Sequence, residues 1–194
     1  MKFINLIAGS GVGKSTGGAV LYGMLSTAGY RTALIPEYAK AMTWRRDEAA
    51  LRNPILMFAN QEAQLEVLKG QDLEFVIVDG CILNPLVYPA ARHFSQLEPL
   101  VLQVYNSYDN INFFIERAVP FSEVGRNEKE AFAAEICAKL ERLMEKHQIP
   151  AHKKMPGDIY APGDIFTILT GKKPPYIPCP EYLATLNGQG RGMA

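Results

Sequence analysis

Short apolar runs recur along the chain and alternate with longer stretches of helical character. The runs at residues 3–8, 31–35, 75–78 and 111–115 are typical of buried strands, and 149–153 is a weaker fifth run. The run at 75–78 is the clearest, because it is rich in β-branched residues and closes on an aspartate and a glycine. The pattern therefore predicts five short strands.

Helical patterns fill the stretches between these strands. The helical stretches cover residues 14–28, 38–51, 54–70, 92–106, 128–147 and a short segment that ends near Gly171. In the stretch 128–147 the apolar residues recur at helical spacing along one face. Strands that alternate with helices indicate an α/β fold, in which helices cover both faces of a parallel sheet.

The composition changes after residue 171. Of the 194 residues, 48% are apolar and 21% are charged, an ordinary globular balance for a chain that can bury one core. Residues 172–194 are instead interrupted by prolines and glycines. We therefore expect one domain at 1–171, followed by an extended tail at 172–194.

Charge and cysteine content exclude several classes of protein. The 20 basic and 20 acidic residues give a formal net charge of zero, which argues against an affinity that depends on neutralising a nucleic-acid backbone. Cys81, Cys137 and Cys179 are too widely spaced to predict a disulfide framework or a zinc site.

The first apolar run is too short for a signal sequence or a membrane span. We expect a soluble cytoplasmic protein, a monomer or homodimer, without a membrane partner.

A glycine-rich segment at residues 8–16 follows the first predicted strand and opens the first predicted helix. It matches the phosphate-binding pattern GxxxxGK[ST], except that Ala8 stands at the first position. Its glycines allow backbone N–H groups to converge on phosphate oxygens, and the helix N-terminus adds a favourable dipole. A dinucleotide fingerprint fits less well, because Lys14 and Ser15 directly follow the last glycine.

This segment, the P-loop, predicts binding of a nucleoside triphosphate, ATP, together with Mg²⁺. Lys14 can reach the β- and γ-phosphates, and the Ser15 hydroxyl can ligate the metal. A purely structural glycine-rich turn is the alternative interpretation. The residues expected to bind the phosphates are Gly9, Ser10, Gly11, Val12, Gly13, Lys14, Ser15 and Thr16.

Two carboxylates follow predicted strands at the same edge of the sheet. Asp79 ends the clearest strand, where it can hold Mg²⁺ directly or through water, or else cap the following turn. Glu37 follows the second strand, where it can take the proton of an attacking hydroxyl, although an exposed glutamate at a helix start is the alternative. The sequence therefore predicts a metal ligand and a general base.

Arginines mark a segment that can close over the phosphates. Arg117 and Arg126 flank a surface excursion at residues 116–128, which we interpret as a lid. A guanidinium that closes over a transferred phosphoryl group stabilises its charge, whereas surface solvation is the alternative for each residue. Lys14 and Glu37, with these two arginines, are the predicted catalytic residues.

An aromatic and basic group follows Glu37 in the next predicted helix. Arg45 and Arg46 can clamp a phosphate of the acceptor, and Trp44 can stack on a base. We add Tyr38 to the predicted acceptor-binding residues. A surface pair of arginines beside a buried tryptophan is the alternative interpretation.

These features together resemble the P-loop nucleoside and nucleotide kinases, over roughly residues 2–170. The segment 36–40, Pro-Glu-Tyr-Ala-Lys, followed by Trp44, is similar to the segment that carries the catalytic glutamate in deoxynucleoside kinases, and to the Glu-Tyr-Ala segment of ribosylnicotinamide-kinase-like ATPases. The run at 105–114 resembles small kinases of tailed bacteriophages. One departure is Gly80-Cys81 after Asp79, where related kinases often have an arginine or a serine-proline.

The resemblance implies a P-loop NTPase fold. This is a three-layer sandwich whose five-stranded parallel sheet has the order 2-3-1-4-5, with helices on both faces. It also implies a lid near Arg126 and adenine held near the loop at 156–163.

The function that these features favour is ATP-dependent transfer of the γ-phosphate to a hydroxyl of a nucleoside or nucleotide, in a bacteriophage setting and hence in the host cytoplasm. A second hypothesis is that the acceptor is modified DNA, since 5-hydroxymethyluridine DNA kinases of phages need the same groups and an extruded or single-stranded base. A third is a switch that hydrolyses ATP to change the state of a protein partner.

Overall fold

The computed structural model describes residues 1–122 and 128–176. It contains a five-stranded sheet in the order β2-β3-β1-β4-β5, in which every neighbouring pair is parallel. The strands are β1 (Lys2–Ile7), β2 (Thr32–Ile35), β3 (Phe75–Asp79), β4 (Asn110–Glu116) and β5 (Lys153–Pro156). The predicted α/β fold and strand order are therefore confirmed.

Seven α-helices and two 3₁₀ helices connect the strands in the described ranges. The helices are α1 (Lys14–Thr27), α2 (Tyr38–Arg45), α3 (Glu48–Leu51), α4 (Pro54–Glu66), the 3₁₀ helices Asn84–Val87 and Pro89–His93, α5 (Leu97–Tyr105), α6 (Glu130–Lys146) and α7 (Ala161–Thr170). In these same ranges no helix is long and apolar enough to cross a membrane.

The sheet separates two hydrophobic cores, so the molecule has three layers. On one face α1 and α7 pack through Leu21, Met24 and Phe166, which are almost fully buried. On the other face α4, α5 and α6 pack on the strand residues that point to that side of the sheet, such as Phe3 and Val76. A third, smaller cluster of Met42, Ala50 and Met57 joins α2, α3 and α4 beyond the edge of the main body.

Buried amides fasten the centre of the sheet. The Asn5 side-chain amide donates to the side-chain oxygens of Asn110, at 2.8 Å, and Asn112, at 3.0 Å. The Tyr105 hydroxyl also donates to Asn112 at 2.7 Å. Since buried polar groups need such partners, the asparagine-rich run at 105–114 serves to hold β1 against β4.

The structure corrects the predicted bounds in three places. The expected helix at 38–51 breaks after Arg45, because Arg46 takes a left-handed conformation with φ 56° and Asp47 caps the new helix α3. The expected helix at 92–106 begins only at Leu97, after the two 3₁₀ helices. The weak fifth strand lies at Lys153–Pro156 rather than at 149–153.

Candidate functional site

A cleft of about 880 Å³ opens above the carboxyl ends of the central strands. The P-loop forms one end of it. The other end lies between helices α2 to α4 on one side and the two 3₁₀ helices on the other. In open parallel sheets, ligands bind at the carboxyl ends of the strands, and the cleft lies at that edge.

The P-loop joins β1 to α1, as predicted, and its backbone is held from behind. Gly13 has φ 96°, and a Cβ atom there would lie 2.8 Å from the Gly157 carbonyl oxygen, so the close approach of the loop at 156–160 requires glycine. The Lys14 ammonium is buried and donates to the Gly9 carbonyl at 2.6 Å. The Gly9 N–H donates to the Cys137 thiol at 3.0 Å, which ties the loop to α6.

Glu37 lines the cleft directly before helix α2, beside the P-loop lysine. It passes very close to the turn after β3: a Cβ atom on Gly80 would lie 2.8 Å from both Cβ and Cγ of Glu37. Gly80 also has φ +116°, a conformation that favours glycine. The glycine that departs from the kinase pattern is therefore what allows Glu37 to reach this position.

The environment of Glu37 makes it more basic than an ordinary glutamate. Its pKa is raised, first because burial disfavours the charged carboxylate and then because Asp79 and Glu128 are negatively charged neighbours. Lys14 and a hydrogen bond from Asn84 act in the opposite direction on this pKa. A carboxylate that is held close to a lysine and resists ionisation suits proton abstraction near neutral pH.

Asp79 lies at the end of β3, paired in register with Leu6, which places it next to the P-loop. It is buried, with 4% of the residue's surface exposed. Its Oδ1 has no hydrogen-bond partner among residues 1–122 and 128–176, and the same holds for Asn84 Oδ1. A buried carboxylate oxygen without a partner calls for a ligand such as a cation or its water.

The unpartnered Asp79 Oδ1 and the Ser15 hydroxyl are oxygen ligands of the kind that Mg²⁺ prefers, so these two residues would hold the ion. The described part of the chain holds no cluster of three or more His, Cys, Asp or Glu side chains that could bind a metal alone. Mg²⁺ does not need one, because it is usually held by one or two protein oxygens, water and substrate phosphates. The residues present therefore suit Mg²⁺ bound together with a nucleotide.

Arg117 contacts the P-loop from the end of β4. Its guanidinium donates to the carbonyl oxygens of Gly11, at 2.7 Å, and Ser10, at 3.2 Å, and it lies 3.6 Å from Glu130. The structure thus brings Arg117 to the phosphate-binding loop. Arg126, the other predicted lid residue, lies outside the described residues.

Glu128 bridges the two ends of the cleft, and no motif in the sequence predicted this role. Its carboxylate accepts from the Ser10 hydroxyl of the P-loop at 2.9 Å and from the Tyr88 hydroxyl of the opposite wall at 2.7 Å. The pKa of Tyr88 is raised, by burial first and then by the charges of Glu128 and Glu37, so its hydroxyl remains a donor. This bridge connects the end of the predicted lid to the P-loop and to the opposite wall of the cleft.

Lys40 is a second residue of the cleft to which the sequence assigned no role. It lies one helical turn after Glu37, and its ammonium donates to the Ser15 hydroxyl at 3.1 Å. The cleft therefore holds two lysines near the P-loop, one from α1 and one from α2.

Of the four predicted acceptor-binding residues, the structure places Trp44 at the cleft and the other three away from it. Trp44 lines the cleft with 62% of its surface exposed. Arg45 and Arg46 are exposed and do not line the cleft, and Tyr38 packs against the cluster of Met42. The arginines that line the cleft are Arg52, which pairs with Glu48 at 2.8 Å, and Arg92.

The three cysteines remain unpaired or outside the described ranges. Cys81 and Cys137 are free thiols, and Cys179 lies outside the part that the structure describes. Burial raises the pKa of the Cys81 thiol to about 12, so it stays protonated although it lies at the floor of the cleft.

Comparisons with known proteins found one family model that matches the chain and a solved structure that is similar to it. A family model described as an AAA domain matches residues 3–161. Among solved structures, shikimate kinase from Aquifex aeolicus is similar, with 16% identity over 97% of this chain and 97% of that chain and a TM-score of 0.45. A search of curated proteins found no match. Because the family model spans most of its length, the chain belongs to the AAA-domain family.

Proposed function

We propose that the protein is an ATP-dependent kinase that transfers the γ-phosphate to a hydroxyl of a nucleoside or nucleotide. The observation that carries the proposal is the position of Glu37, a carboxylate whose pKa is raised. It lines the cleft between the P-loop and the part of the cleft that is enclosed by α2 to α4 and the two 3₁₀ helices. A protein that only hydrolysed ATP would not need a chamber of this kind on the far side of its base.

The transfer follows from the positions of these groups. The acceptor hydroxyl oxygen forms a bond to the γ-phosphorus, while the bond from that phosphorus to the bridging oxygen breaks and leaves its electron pair on ADP. The hydroxyl proton passes to the Glu37 carboxylate. Lys14 moves from the Gly9 carbonyl to the phosphates, where its charge offsets the negative charge that develops.

Ser15 and Asp79 would hold Mg²⁺ beside the phosphates. When bound there, the ion supplies a positive charge that neutralises the β- and γ-phosphate oxygens. Arg117 keeps the P-loop carbonyls of Ser10 and Gly11 occupied, which leaves the N–H side of the loop free for phosphate.

Two features support an acceptor with a flat aromatic part. Trp44 presents an exposed ring at the cleft, and Arg92 lines the same cleft without an ion pair in the described part of the chain. An aromatic ring stacks on a base, and a guanidinium binds an anionic group of a nucleotide. The same features would serve a base extruded from DNA, so hydroxymethyluracil in phage DNA is the alternative acceptor.

The experiment is a screen with γ-labelled ATP against nucleosides, nucleotides and DNA that contains hydroxymethyluracil. We expect label in one class of acceptor, no transfer by Glu37→Gln, and ATP binding by that variant within about threefold of wild type. Glu141→Gln, on the exposed surface of α6, is the matched control and should transfer normally. Near-normal transfer by Glu37→Gln would overturn the assignment of the base, and label in DNA alone would select the alternative acceptor.

The family match supports a second candidate, an ATP-hydrolysing switch, since the matching model is described as an AAA domain. This function requires hydrolysis that depends on a protein partner and no transfer to any small acceptor or DNA. The same screen, with free phosphate measured in parallel, separates the two functions.

A further inference from the structure

Lys40 holds an ammonium against the phosphate-binding loop from the acceptor side of the cleft. It lies on α2, and its Nζ donates to the Ser15 hydroxyl at 3.1 Å. We propose that Lys40 is a further catalytic residue, whose ammonium binds the phosphoryl group while that group is transferred. The proposal rests on the proposed function, which supplies the phosphoryl group.

Lys40 differs from most of the other lysines that form a side-chain hydrogen bond or ion pair, in that its side chain contacts a hydroxyl rather than a carboxylate. Several surface lysines pair with a carboxylate: Lys2, Lys69, Lys139, Lys146 and Lys154. Lys40 forms no ion pair among residues 1–122 and 128–176, and its recorded side-chain partner is one neutral hydroxyl. An ammonium has three donors, so two of them remain available to an anion that enters the cleft.

The position of the Ser15 hydroxyl indicates which anion Lys40 would bind in the cleft. Ser15 is the P-loop residue that suits Mg²⁺, and a Mg²⁺ ion held there would repel the Lys40 ammonium from this hydroxyl. The strongest acceptors that the proposed function brings to this place are the γ-phosphate oxygens. Lys40 therefore exchanges a neutral acceptor for a charged one, a stronger hydrogen bond.

Helix α2 joins this cation to the base. Glu37 stands at the N-terminus of α2, and the Lys40 backbone N–H donates to the Glu37 carbonyl at 3.2 Å. While the phosphoryl group passes to the acceptor oxygen and the proton of that hydroxyl passes to Glu37, negative charge is spread over the three equatorial oxygens. Lys14 offsets this charge from the nucleotide side of the phosphoryl group, and Lys40 offsets it from the acceptor side. Helix α2 therefore positions both the base Glu37 and the cation Lys40.

The test compares binding of ADP with Mg²⁺ and binding of ADP with Mg²⁺ and aluminium fluoride, which imitates the phosphoryl group in transfer. It needs no acceptor, so it separates this proposal from the proposed function: failure to label any acceptor would reject the kinase, whereas these affinities judge Lys40. The variants are Lys40→Ala and Lys40→Arg. Lys2→Ala, at the opposite end of β1 from the P-loop, is the control.

For Lys40→Ala we expect ADP affinity within about twofold of wild type and affinity for the aluminium fluoride complex lowered about 10- to 100-fold. Lys40→Arg should recover most of that loss, since it restores the charge, and melting temperatures should be alike. Equal losses for both ligands would show a structural role and overturn the proposal. So would unchanged affinities, or a wild-type protein that binds the two ligands equally well.

Discussion

Glu37, the proposed proton acceptor, is subject to two opposing requirements: a proton acceptor must ionise, and the surroundings of Glu37 oppose ionisation. Its pKa is raised by burial and by neighbouring carboxylates. The folded protein therefore binds a proton at this site more tightly than the unfolded chain does. A group whose pKa is higher in the folded state stabilises the fold below its ordinary pKa of 4.5, and this contribution is lost as the pH rises through the folded value.

Glu37→Gln should therefore melt at a higher temperature than wild type at neutral pH, because glutamine carries no charge to bury. The difference should shrink as the pH falls and disappear below the ordinary glutamate pKa, where both proteins are neutral at this position. Melting curves from about pH 4 to pH 8 measure it. A variant that is less stable than wild type by the same amount at every pH would contradict this account and indicate lost contacts instead.

Gly80 should be required for activity, unlike Gly29, which also has positive φ but lies away from the cleft. Alanine there would place Cβ 2.8 Å from the Glu37 side chain, in addition to the backbone cost of roughly 1–2 kcal/mol at φ +116°. We expect Gly80→Ala to lower transfer at least tenfold while ATP binding changes little.

Gly29→Ala is the matched control for this prediction. Gly29 also has positive φ, at +86°, but a Cβ atom there would meet nothing within 4 Å. In urea titrations Gly80→Ala should lose at least as much stability as Gly29→Ala, and only Gly80→Ala should lose transfer. Equal activities would show that the Glu37 position tolerates displacement.

At the scale of elements, the sequence predicted the order of strands and helices well and their ends less well. Periodicity places α6 and the central strands within a few residues, because their apolar faces pack on the sheet. The break after Arg45 was not predicted, because a left-handed arginine carries no compositional signal. Likewise β5 has a single buried residue, Met155, and so has almost no hydrophobic pattern.

The same contrast holds for the site. The P-loop, Asp79 and Glu37 could be predicted, because each follows a recognisable strand at one edge of the sheet. Lys40 and Glu128 could not, because their positions depend on how α2 and the segment before α6 turn back to the P-loop. Sequence spacing does not record such turns.

The Glu128 bridge leads to a prediction about nucleotide binding. A carboxylate that accepts from the Ser10 hydroxyl places negative charge beside the loop that must receive a triphosphate. Glu128→Gln removes that charge and keeps an oxygen that can accept from Ser10 or Tyr88. We expect ATP to bind about three- to tenfold more tightly, and less so in high salt, which screens the repulsion.

Calorimetric titration of ATP at low and high salt measures this effect. Glu141→Gln makes the same change on the exposed surface of α6, where Glu141 pairs with Lys154, and should leave the affinity unchanged. Weaker binding by Glu128→Gln at both salt concentrations would show that the bridge supports the nucleotide site rather than opposing its occupation.

For the whole molecule, the arrangement of cores separates the two halves of the site. The P-loop rests on the large cores on either face of the sheet, and its hydrophobic residue Val12 is buried in one of them. Helix α2, which carries Lys40 and Trp44, and helix α3 are instead joined to α4 by the small cluster of Met42, Ala50 and Met57. In the proposed transfer, the nucleotide side of the cleft therefore rests on the main cores, and the acceptor side rests on an outlying element that we expect to be less stable.

A pair of methionine variants tests this division. Met24→Ala, fully buried between α1 and the sheet, should cost about 2–5 kcal/mol of global stability. Met57→Ala should cost less, because its cluster is small and Met57 is 7% exposed, so the loosened part should be α2 and α3.

Hydrogen exchange distinguishes these outcomes residue by residue. In Met57→Ala we expect faster exchange at residues 38–51, a raised KM for the acceptor and unchanged ATP affinity, since the P-loop keeps its own support. In Met24→Ala exchange should accelerate throughout the sheet. If Met57→Ala weakened ATP binding as much as acceptor use, the two halves of the cleft would form one cooperative unit, and Lys40 would then be positioned by the main body rather than by the small cluster.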